Sequence, residues 1–351
     1  MIDALEAVGR AAGLDALGVT PAEPFERTRR DLEDRKARGL AAGMAFTYRR
    51  PERSTDPGQA LPGARALVVG ARSYADEAAD VAAPSARPTG RVARYARHDH
   101  YADLRRGLDA VAAHLRASGW RTRVLVDDNA LVDREAAVRA GLGWYGKSAN
   151  VLLPGRGSWF VLGSVVTDAP LAPARPLVED GCGSCTRCLD GCPTGAIVAP
   201  GVVDARRCLA WLVQAPGAFP PEHREALGDR LYGCDDCQEV CPPNRRSDRH
   251  HAAGGGSGAT VDLLSLLAAD DATLLARHGR WYIAGRDPRH LRRNALLALG
   301  NTASPDDPEV REALASAAGG DDELLAEHAA WALARLDRRR RSVPLRQGSA
   351  R

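Results

Sequence analysis

The cysteines of this chain limit its possible folds more than any other feature. All eight lie between residues 182 and 241. The first run has the spacing C-x-x-C-x-x-C-x-x-x-C and consists of Cys182, Cys185, Cys188 and Cys192. The second run repeats its last three positions with Cys234, Cys237 and Cys241, and Cys208 stands alone between the runs. Thiolates are soft ligands, and this spacing is typical of four-iron, four-sulfur clusters.

The pairing of the cysteines follows from a rule of two-cluster ferredoxins, in which the last cysteine of each run ligates the cluster of the opposite run. One predicted 4Fe-4S cluster is held by Cys182, Cys185, Cys188 and Cys241. The second predicted 4Fe-4S cluster is held by Cys192, Cys208, Cys234 and Cys237. Residues 209–233, here called the insertion, separate Cys208 from Cys234. We expect the insertion to cover a ligand.

Two other uses of the cysteines are weaker. Disulfides suit a secreted chain, and the N-terminal residues lack the basic head and apolar core of a secretory signal. Structural zinc favours paired C-x-x-C knuckles without a further thiolate three residues on. The spacing therefore favours two clusters that move single electrons.

Composition places the chain among globular proteins with two or three domains, since 44% of its 351 residues are hydrophobic. No stretch approaches the length needed to cross a bilayer, and clustered thiolates in an unexported chain indicate the cytoplasm. The net charge is only +3, but basic residues gather at 289–293 and 338–341. These could hold RNA, together with Trp281 and Tyr282, or form a solvated helix face and the edge of a core.

The order of apolar segments predicts three parts of different architecture. Residues 1–170 alternate strands (64–73, 121–128, 157–168) with helices (103–119, 129–143), which is typical of an α/β domain. Residues 171–250 carry the cysteines and predict a ferredoxin-like domain. Residues 251–259 have the composition of a flexible linker.

The C-terminal part is predicted to be helical. Residues 287–301 and 322–337 resemble each other at a spacing of 34 residues, with another helix between them. Paired helices at such a period predict HEAT-like repeats over residues 260–340. Residues 341–351 form a basic tail.

With these parts assigned, the chain resembles the epoxyqueuosine reductase family over nearly its whole length. The most specific stretches are LVDREAAVRAGLGWYGK (131–147), CGSCTRCLDGCPTGAI (182–197) and RLYGCDDCQEVCPPN (230–244). RRNALLALGN (292–301) and HAAWAL (328–333) match the C-terminal helices of the family.

The resemblance implies a cofactor and a reaction. The family binds cob(II)alamin between the α/β domain and the ferredoxin-like domain, and an external low-potential donor reduces cobalt through the two clusters. The substrate is an epoxide on a modified base in the anticodon loop of tRNA. Two electrons and two protons remove the epoxide oxygen as water. The family also implies a monomer.

The resemblance further implies site residues. Asp133 matches the proton donor of the family, and an apolar pocket would raise its pKa enough for that role; its position would equally suit a carboxylate that complements a helix dipole. The matches to cofactor-binding positions are Arg53, Asp133, Ser158, Asp168, Gln214 and Asp235. The order Asp99, His100, Tyr101 departs from the Asp-Tyr-His order usual in the family.

Two further functions remain open at this point. A corrinoid reductive dehalogenase would share the cofactor chemistry, but the chain has no export signal and ends in helical repeats. A plain two-cluster electron-transfer module would need only the cysteine segment, and the long N-terminal α/β domain argues against it.

Overall fold

The computed structural model describes residues 1–75, 87–173, 175–251 and 259–342. Most of the predicted linker (251–259) and of the predicted basic tail (341–351) lies outside these residues. The helices in chain order are α1 (Ile2–Ala11), α2 (Glu26–Ala37), α3 (Pro51–Ser54), α4 (Pro57–Ala60), α5 (Arg94–Arg97), α6 (His100–Ala117), α7 (Asp133–Arg139), α8 (Arg187–Asp190), α9 (Leu209–Leu212), α10 (Arg224–Leu227), α11 (Asp236–Glu239), α12 (Pro242–His251), α13 (Leu263–Ala268), α14 (Asp271–His278), α15 (Arg289–Thr302), α16 (Pro308–Ala318) and α17 (Glu323–Ser342). The strands are β1 (Ala16–Pro21), β2 (Ala66–Ser73), β3 (Thr89–Val92), β4 (Thr122–Val126), β5 (Trp144–Tyr145), β6 (Val151–Leu152), β7 (Phe160–Thr167), β8 (Ile197–Ala199), β9 (Val202–Val203), β10 (Arg230–Tyr232) and β11 (Thr260–Asp262).

The chain divides into two compact units that interleave along the sequence. The first unit comprises Met1–Ala79, Arg97–Cys208 and Asp235–Gly256. The second comprises Asp80–Ala96, Leu209–Cys234 and Ser257–Arg351. The domains predicted from sequence are continuous stretches of the chain, whereas each unit combines three separate stretches. The predicted domain boundaries therefore stay predictions. None of the described helices is long and apolar enough to cross a membrane.

A four-stranded antiparallel sheet in the order β1-β2-β7-β4 forms the centre of the first unit. Its two central strands are buried on both faces because α6 packs on one side and α7 on the other. Helix α6 turns its buried residues Leu104, Leu108, Val111 and Leu115 toward the sheet at helical spacing. Helices and strands alternate over residues 1–170 as expected, and the central sheet that they form is antiparallel; an α/β domain with these bounds stays a prediction.

Two strand glycines let α6 approach the sheet closely. A methyl group added at Gly70 would lie 2.9 Å from Leu108 Cδ2. One added at Gly163 would lie 2.9 Å from Leu108 Cδ1. A methyl group at either position would push against the terminal methyls of Leu108, so the two glycines let this side chain pack directly on the sheet.

The cysteine segments of the first unit contain only short elements. Helix α8 packs against α11, and β8 pairs with β9 in a small hairpin. The backbone N–H of Gly201 donates to the carbonyl of Lys147 at 2.9 Å, and Arg35 donates to the carbonyl of Gly201 at 3.1 Å. These bonds tie the hairpin to the α/β part of the same unit.

The second unit combines a three-stranded sheet, in the order β10-β3-β11, with helices α13 to α17. Helix α17 packs on both α15 and α16, and their buried residues form one core. The approach of α15 to α17 is close, because a methyl group at Gly300 would lie 2.8 Å from Ala332 Cα. The helices expected at 287–301 and 322–337 correspond to α15 and α17. Their grouping as HEAT-like repeats stays a prediction.

Candidate iron–sulfur and acid site

All eight cysteines are free thiols of intermediate burial. The disulfide alternative is therefore wrong for this fold. Among the described residues, no three His, Cys, Asp or Glu side chains converge closely enough to hold a single metal ion. This disfavours structural zinc, whose four ligands crowd around one small ion.

The first predicted set of cysteines is brought together in the first unit. Burial raises the pKa of Cys241 to about 11; a bond from the backbone of Asn244 opposes this rise, and Cys182, Cys188 and Cys185 add to it. Burial likewise raises the pKa of Cys188, and Cys182 and Cys185 contribute to that rise. The four thiols thus lie within electrostatic reach of one another, as ligands of one cluster must.

Two other members of the second predicted set, Cys192 and Cys208, lie within electrostatic reach of Cys237. Burial raises the pKa of this thiol, and the charges of Cys208, Asp235 and Cys192 raise it further. Two N–H groups are directed at the sulfur atoms: Ala196 N lies 3.2 Å from Cys192 Sγ, and Asn150 Nδ2 lies 4.0 Å from Cys237 Sγ. Hydrogen bonds to sulfur are one means by which proteins adjust cluster potentials. Cys234, three residues before Cys237 in the chain, packs beside Leu209, Leu212 and Phe219 in the second unit.

Asp133 is the first residue of α7 and lies in surroundings that favour its protonated form. The side chain as a whole is half-buried, but its Oδ1 atom is enclosed and has no hydrogen-bond partner in the described part of the chain. Burial raises the pKa of Asp133 well above its usual range; Asp127 and Asp128 raise it further, and Arg134 opposes them. A carboxylate that merely complemented the helix dipole would have its pKa lowered. The geometry therefore favours a proton donor.

Two tyrosines connect this acid with the cysteines. Burial raises the pKa of Tyr101, and Asp127, Tyr74 and Asp133 are among the groups that raise it further. Burial also raises the pKa of Tyr74, which senses the charges of Asp235, Arg134 and Cys237. Sequence reasoning missed Tyr74. The available signal was an aromatic residue directly after β2, at the end of the buried strand.

Tyr74 belongs to a buried polar network that includes the second cysteine run. Gln238 Nε2 donates to Tyr74 Oη at 3.2 Å and to Ser158 Oγ at 3.0 Å. Asn244 Nδ2 donates to Ser158 Oγ at 2.9 Å and to the carbonyl of Gln238 at 2.8 Å. Its Oδ1 accepts from the backbone N–H of Ser158 at 2.6 Å. The network holds the peptide between Cys237 and Cys241 against the end of the sheet.

The other predicted cofactor contacts are distributed over the chain. Asp235 is buried, and its carbonyl accepts the N–H groups of Gln238 and Glu239, each at 2.8 Å. Arg53 is half-buried in α3. In the second unit, Gln214 Nε2 donates to the carbonyl of Ala210 at 2.9 Å and to Tyr95 Oη at 3.4 Å.

Ser158 and Asp168 lie beyond opposite ends of β7. Ten residues of extended strand separate them by roughly 30 Å, so the structure does not bring them together. Asp168 accepts from Arg121 Nε at 2.7 Å, and this hydrogen bond lowers its pKa. Both residues therefore have structural partners, and their contact with a cofactor remains a prediction.

The basic segment 289–293 is not a free cationic surface. Arg289 pairs with Asp287 and Asp322, and Arg292 pairs with Asp271. Arg293 is fully buried. The alternative interpretation from sequence, a helix face and core, therefore describes this segment.

The two aromatic residues before this segment differ from each other. Trp281 is buried and stacks on Tyr232 with ring centroids 4.5 Å apart, while its Nε1 donates to the carbonyl of Ala96. Tyr282 is 57% exposed. Of the two, only Tyr282 is placed to meet a large ligand in solution.

The chain has clear relatives. Residues 181–244 match the family model of the 4Fe-4S double cluster binding domain. The epoxyqueuosine reductase of Xanthomonas campestris pv. campestris is 36% identical over 341 residues, which cover 94% of each chain. The epoxyqueuosine reductase of Escherichia coli is 38% identical over 295 residues, covering 81% of this chain and 76% of that protein. A crystal structure of epoxyqueuosine reductase with an epoxyqueuosine-modified tRNA-Tyr stem loop superposes with a TM-score of 0.86 at 32% identity, covering 95% of this chain and 90% of the other. This chain therefore belongs to the epoxyqueuosine reductase family.

Proposed function

We propose that this protein reduces epoxyqueuosine to queuosine in the anticodon loop of tRNA, with two 4Fe-4S clusters, cob(II)alamin and Asp133 as the proton donor. The observation that carries the proposal is the enclosed carboxyl of Asp133, with its raised pKa, in the same compact unit as seven of the eight cysteines. Family membership supplies the substrate, and the relative solved with a modified tRNA stem loop supports it.

The residues fit the proposed cofactors in kind. The thiol sets around Cys241 and Cys237 match the ligands that two clusters need. The Oδ1 atom of Asp133 is enclosed and has no hydrogen-bond partner among the described residues, as would suit an acid beside a corrinoid. The predicted corrinoid contacts are Arg53, Asp133, Ser158, Asp168, Gln214 and Asp235. When bound, the corrinoid supplies low-potential electrons to the epoxide carbon.

The protein's part in the reaction is to deliver a proton. An opening epoxide develops negative charge on oxygen, and a carboxylic acid held protonated near neutral pH can neutralise it. Two electrons and two protons convert the epoxide into an alkene and one water. Asp133 gives the first proton to the oxygen. Burial and the charges of Asp127 and Asp128 disfavour the carboxylate and raise the pKa of Asp133, which supports this role.

The remaining parts of the proposal concern context. We propose that the chain acts as a monomer in the cytoplasm, receives electrons from an external low-potential donor, and uses its C-terminal helices as HEAT-like repeats. Exposed Tyr282 is a candidate for stacking on an unpaired base.

Mass analysis of tRNA nucleosides tests the proposed reaction. Deleting the gene should cause epoxyqueuosine to accumulate, and restoring the gene should return queuosine. Unchanged queuosine in the deletion strain would reject the substrate. Anaerobically purified protein mixed with cob(II)alamin tests the cofactor, because a plain electron carrier would show cluster absorption and no bound corrin.

A further inference from the structure

The insertion between Cys208 and Cys234 is held by side chains of the C-terminal helices. Arg293, in α15, donates from Nη1 to the carbonyl of Ala215 at 2.9 Å and to the carbonyl of Gly217. Its Nη2 donates to the carbonyl of Leu212 at 2.9 Å. Arg293 Nη2 also reaches the carbonyl of Val213 at 3.4 Å. One guanidinium thus contacts four carbonyl groups within residues 212–219, a segment made of the last residue of the short helix α9 and the irregular stretch that follows it.

The neighbouring Asn294 extends this contact. Its Oδ1 accepts from Arg293 Nε at 3.1 Å and so fixes the orientation of the guanidinium. Its Nδ2 donates to the carbonyl of Val213 at 2.8 Å and to the carbonyl of Leu231 at 3.1 Å. Because Val213 begins the irregular segment and Leu231 lies in β10, Asn294 joins both ends of the insertion.

Two histidines bind the N–H groups of the same segment. His328 Nε2, in α17, accepts from the backbone N–H of Phe219 at 3.0 Å. His290 Nε2, in α15, accepts from the backbone N–H of Gly217 at 3.3 Å. Both rings must be neutral to accept, and burial lowers the pKa of each. Side chains thus supply several of the backbone partners that a helix or sheet would otherwise provide in segment 212–219.

Packing alone does not explain why a charged residue occupies position 293, which is fully buried. Arg293 is 0% exposed, and no carboxylate in the described part of the chain forms an ion pair with it. Burial lowers its pKa to about 10, and Arg224 adds to this lowering, so the side chain is still charged at neutral pH. Burying an unpaired charge is unfavourable. An apolar side chain of similar volume would avoid that penalty, but it would leave the carbonyls of segment 212–219 without donors.

We propose that Arg293, Asn294, His290 and His328 form a clamp whose role is to position segment 212–219, and with it Gln214, for corrinoid binding. The proposal rests on the proposed function, because Gln214 is a predicted contact of cob(II)alamin. Gln214 lies inside the clamped segment, and its side chain is itself ordered by the carbonyl of Ala210. The four clamp residues are positioning residues, because they act through the segment. On this view α15 and α17 serve cofactor retention as well as any contact with RNA.

The test compares Arg293→Gln with Arg289→Gln, which removes a guanidinium from the same helix one turn earlier. Arg289 is exposed and pairs with Asp287 and Asp322. Hydrogen exchange of peptides covering residues 212–219 is measured alongside iron content and cob(II)alamin affinity from absorption titration. If the segment must be ordered to bind, the apparent affinity falls by the fraction of molecules that remain ordered.

For Arg293→Gln we expect normal iron content, exchange in segment 212–219 faster by about tenfold or more, and a loss of corrinoid affinity of similar size. For Arg289→Gln both quantities should match the unmodified protein. Faster exchange with unchanged corrinoid affinity would overturn the link to the cofactor. Unchanged exchange in a folded Arg293→Gln protein would overturn the clamp itself.

A second variant keeps the test decisive if Arg293→Gln does not fold. His290→Leu removes a single acceptor, that of the Gly217 N–H, while keeping an apolar side chain of similar size. It should accelerate exchange at Gly217 and weaken corrinoid binding to a smaller degree; no change in either would contradict the proposal. If the unmodified protein binds no corrinoid at all, the proposed function fails, whereas the exchange measurements still decide whether the clamp orders the insertion.

Discussion

Asp133 in the first unit and Arg293 in the second unit are buried in opposite ways. In the first unit, the Oδ1 atom of Asp133 is enclosed and has no hydrogen-bond partner among the described residues, and the pKa of Asp133 is raised. In the second unit, Arg293 is fully buried, yet it donates to the carbonyls of Leu212, Ala215 and Gly217 and to Asn294. Burying either group is unfavourable in free energy unless it gains hydrogen bonds. Only one of them is satisfied by its surroundings.

This difference is the one expected between a catalytic side chain and a side chain with a structural role. Buried polar groups in native proteins are nearly always hydrogen-bonded, so an enclosed atom without a partner needs an explanation. A raised pKa in an enclosed site is a usual sign of an acid that donates a proton. A satisfied buried charge instead holds neighbouring backbone in place. This contrast supports the proposals that Asp133 is the catalytic acid and that Arg293 positions neighbouring backbone.

Asp133→Asn should give the largest effect and tests the catalytic side of the comparison. The amide keeps the shape of the side chain but carries no acidic proton, so turnover should fall by about 10²- to 10⁴-fold. Iron content and bound corrin should be unchanged. Single-turnover reduction of an epoxyqueuosine-containing stem loop measures the loss, and full activity would remove Asp133 from the mechanism.

The same substitution should not lower the free energy of unfolding, although it changes a partly buried polar residue. Because the folded-state pKa of Asp133 is raised, ionisation of this group lowers the free energy of unfolding as pH rises above about 3.8. Asp133→Asn should therefore be as stable as the unmodified protein at neutral pH, or more stable. Denaturant unfolding checks this, and a clear loss of stability would mean that Asp133 has a structural partner.

Asn294→Leu tests the structural side and should show the reverse pattern. It removes the donor to the carbonyls of Val213 and Leu231 and the acceptor that orients Arg293. Leaving such buried groups unsatisfied should lower the free energy of unfolding by about 2–4 kcal/mol. Chemical denaturation of this variant beside Asp133→Asn measures the contrast. Equal stability of the two variants would contradict it.

Acid should weaken the second unit through its buried histidines. Burial lowers the pKa of His328, where the charges of Arg224 and Arg293 act in the same direction and Glu327 opposes them. A histidine whose folded-state pKa is lowered binds fewer protons folded than unfolded, so its contribution is complete above about pH 6.5 and is lost as pH falls below that value. Hydrogen exchange of segment 212–219 should accelerate between pH 7 and pH 5 relative to the sheet of the first unit. Equal acceleration in both regions would contradict a role of these histidines.

Substitutions at Asp127 and Asp128 should have the smallest effects, and they test which group is the acid. The charge of Asp127 raises the pKa of Asp133, so its removal lowers that pKa. A donor must be protonated, and activity should then decline at a lower pH on the alkaline side of the pH–rate profile. Asn tolerates the positive φ of 50° at this position. Asp128→Asn, which removes a weaker influence, should shift the profile less, and an unmoved profile in both variants would place the acid elsewhere.

The extent of sequence-based prediction differs between the two units. In the first, Asp133 was predicted from its motif, but Tyr74, Gln238 and Asn244 were not. Gln238 lies within the second cysteine run and Asn244 lies three residues after it. In this part of the sequence only the spacing of the thiols was interpreted. In the second, segment 289–293 was considered as an RNA surface, and the structure buries Arg293 instead. A run of arginines has the same charge whether it is exposed or paired, so composition could not decide.

The sequence by itself determined the ligand chemistry and the local elements. Thiol spacing, helix periodicity and apolar strands depend on neighbours within a few residues, so these patterns can be read directly from the amino-acid sequence. Only the tertiary structure decided that the insertion joins the C-terminal helices, that Arg293 binds carbonyls near residue 215, and that the carboxyl of Asp133 is enclosed. Those facts depend on partners up to 109 positions away along the chain. Burial, which sets both pKa and hydrogen-bonding demand, exists only once such distant segments have packed.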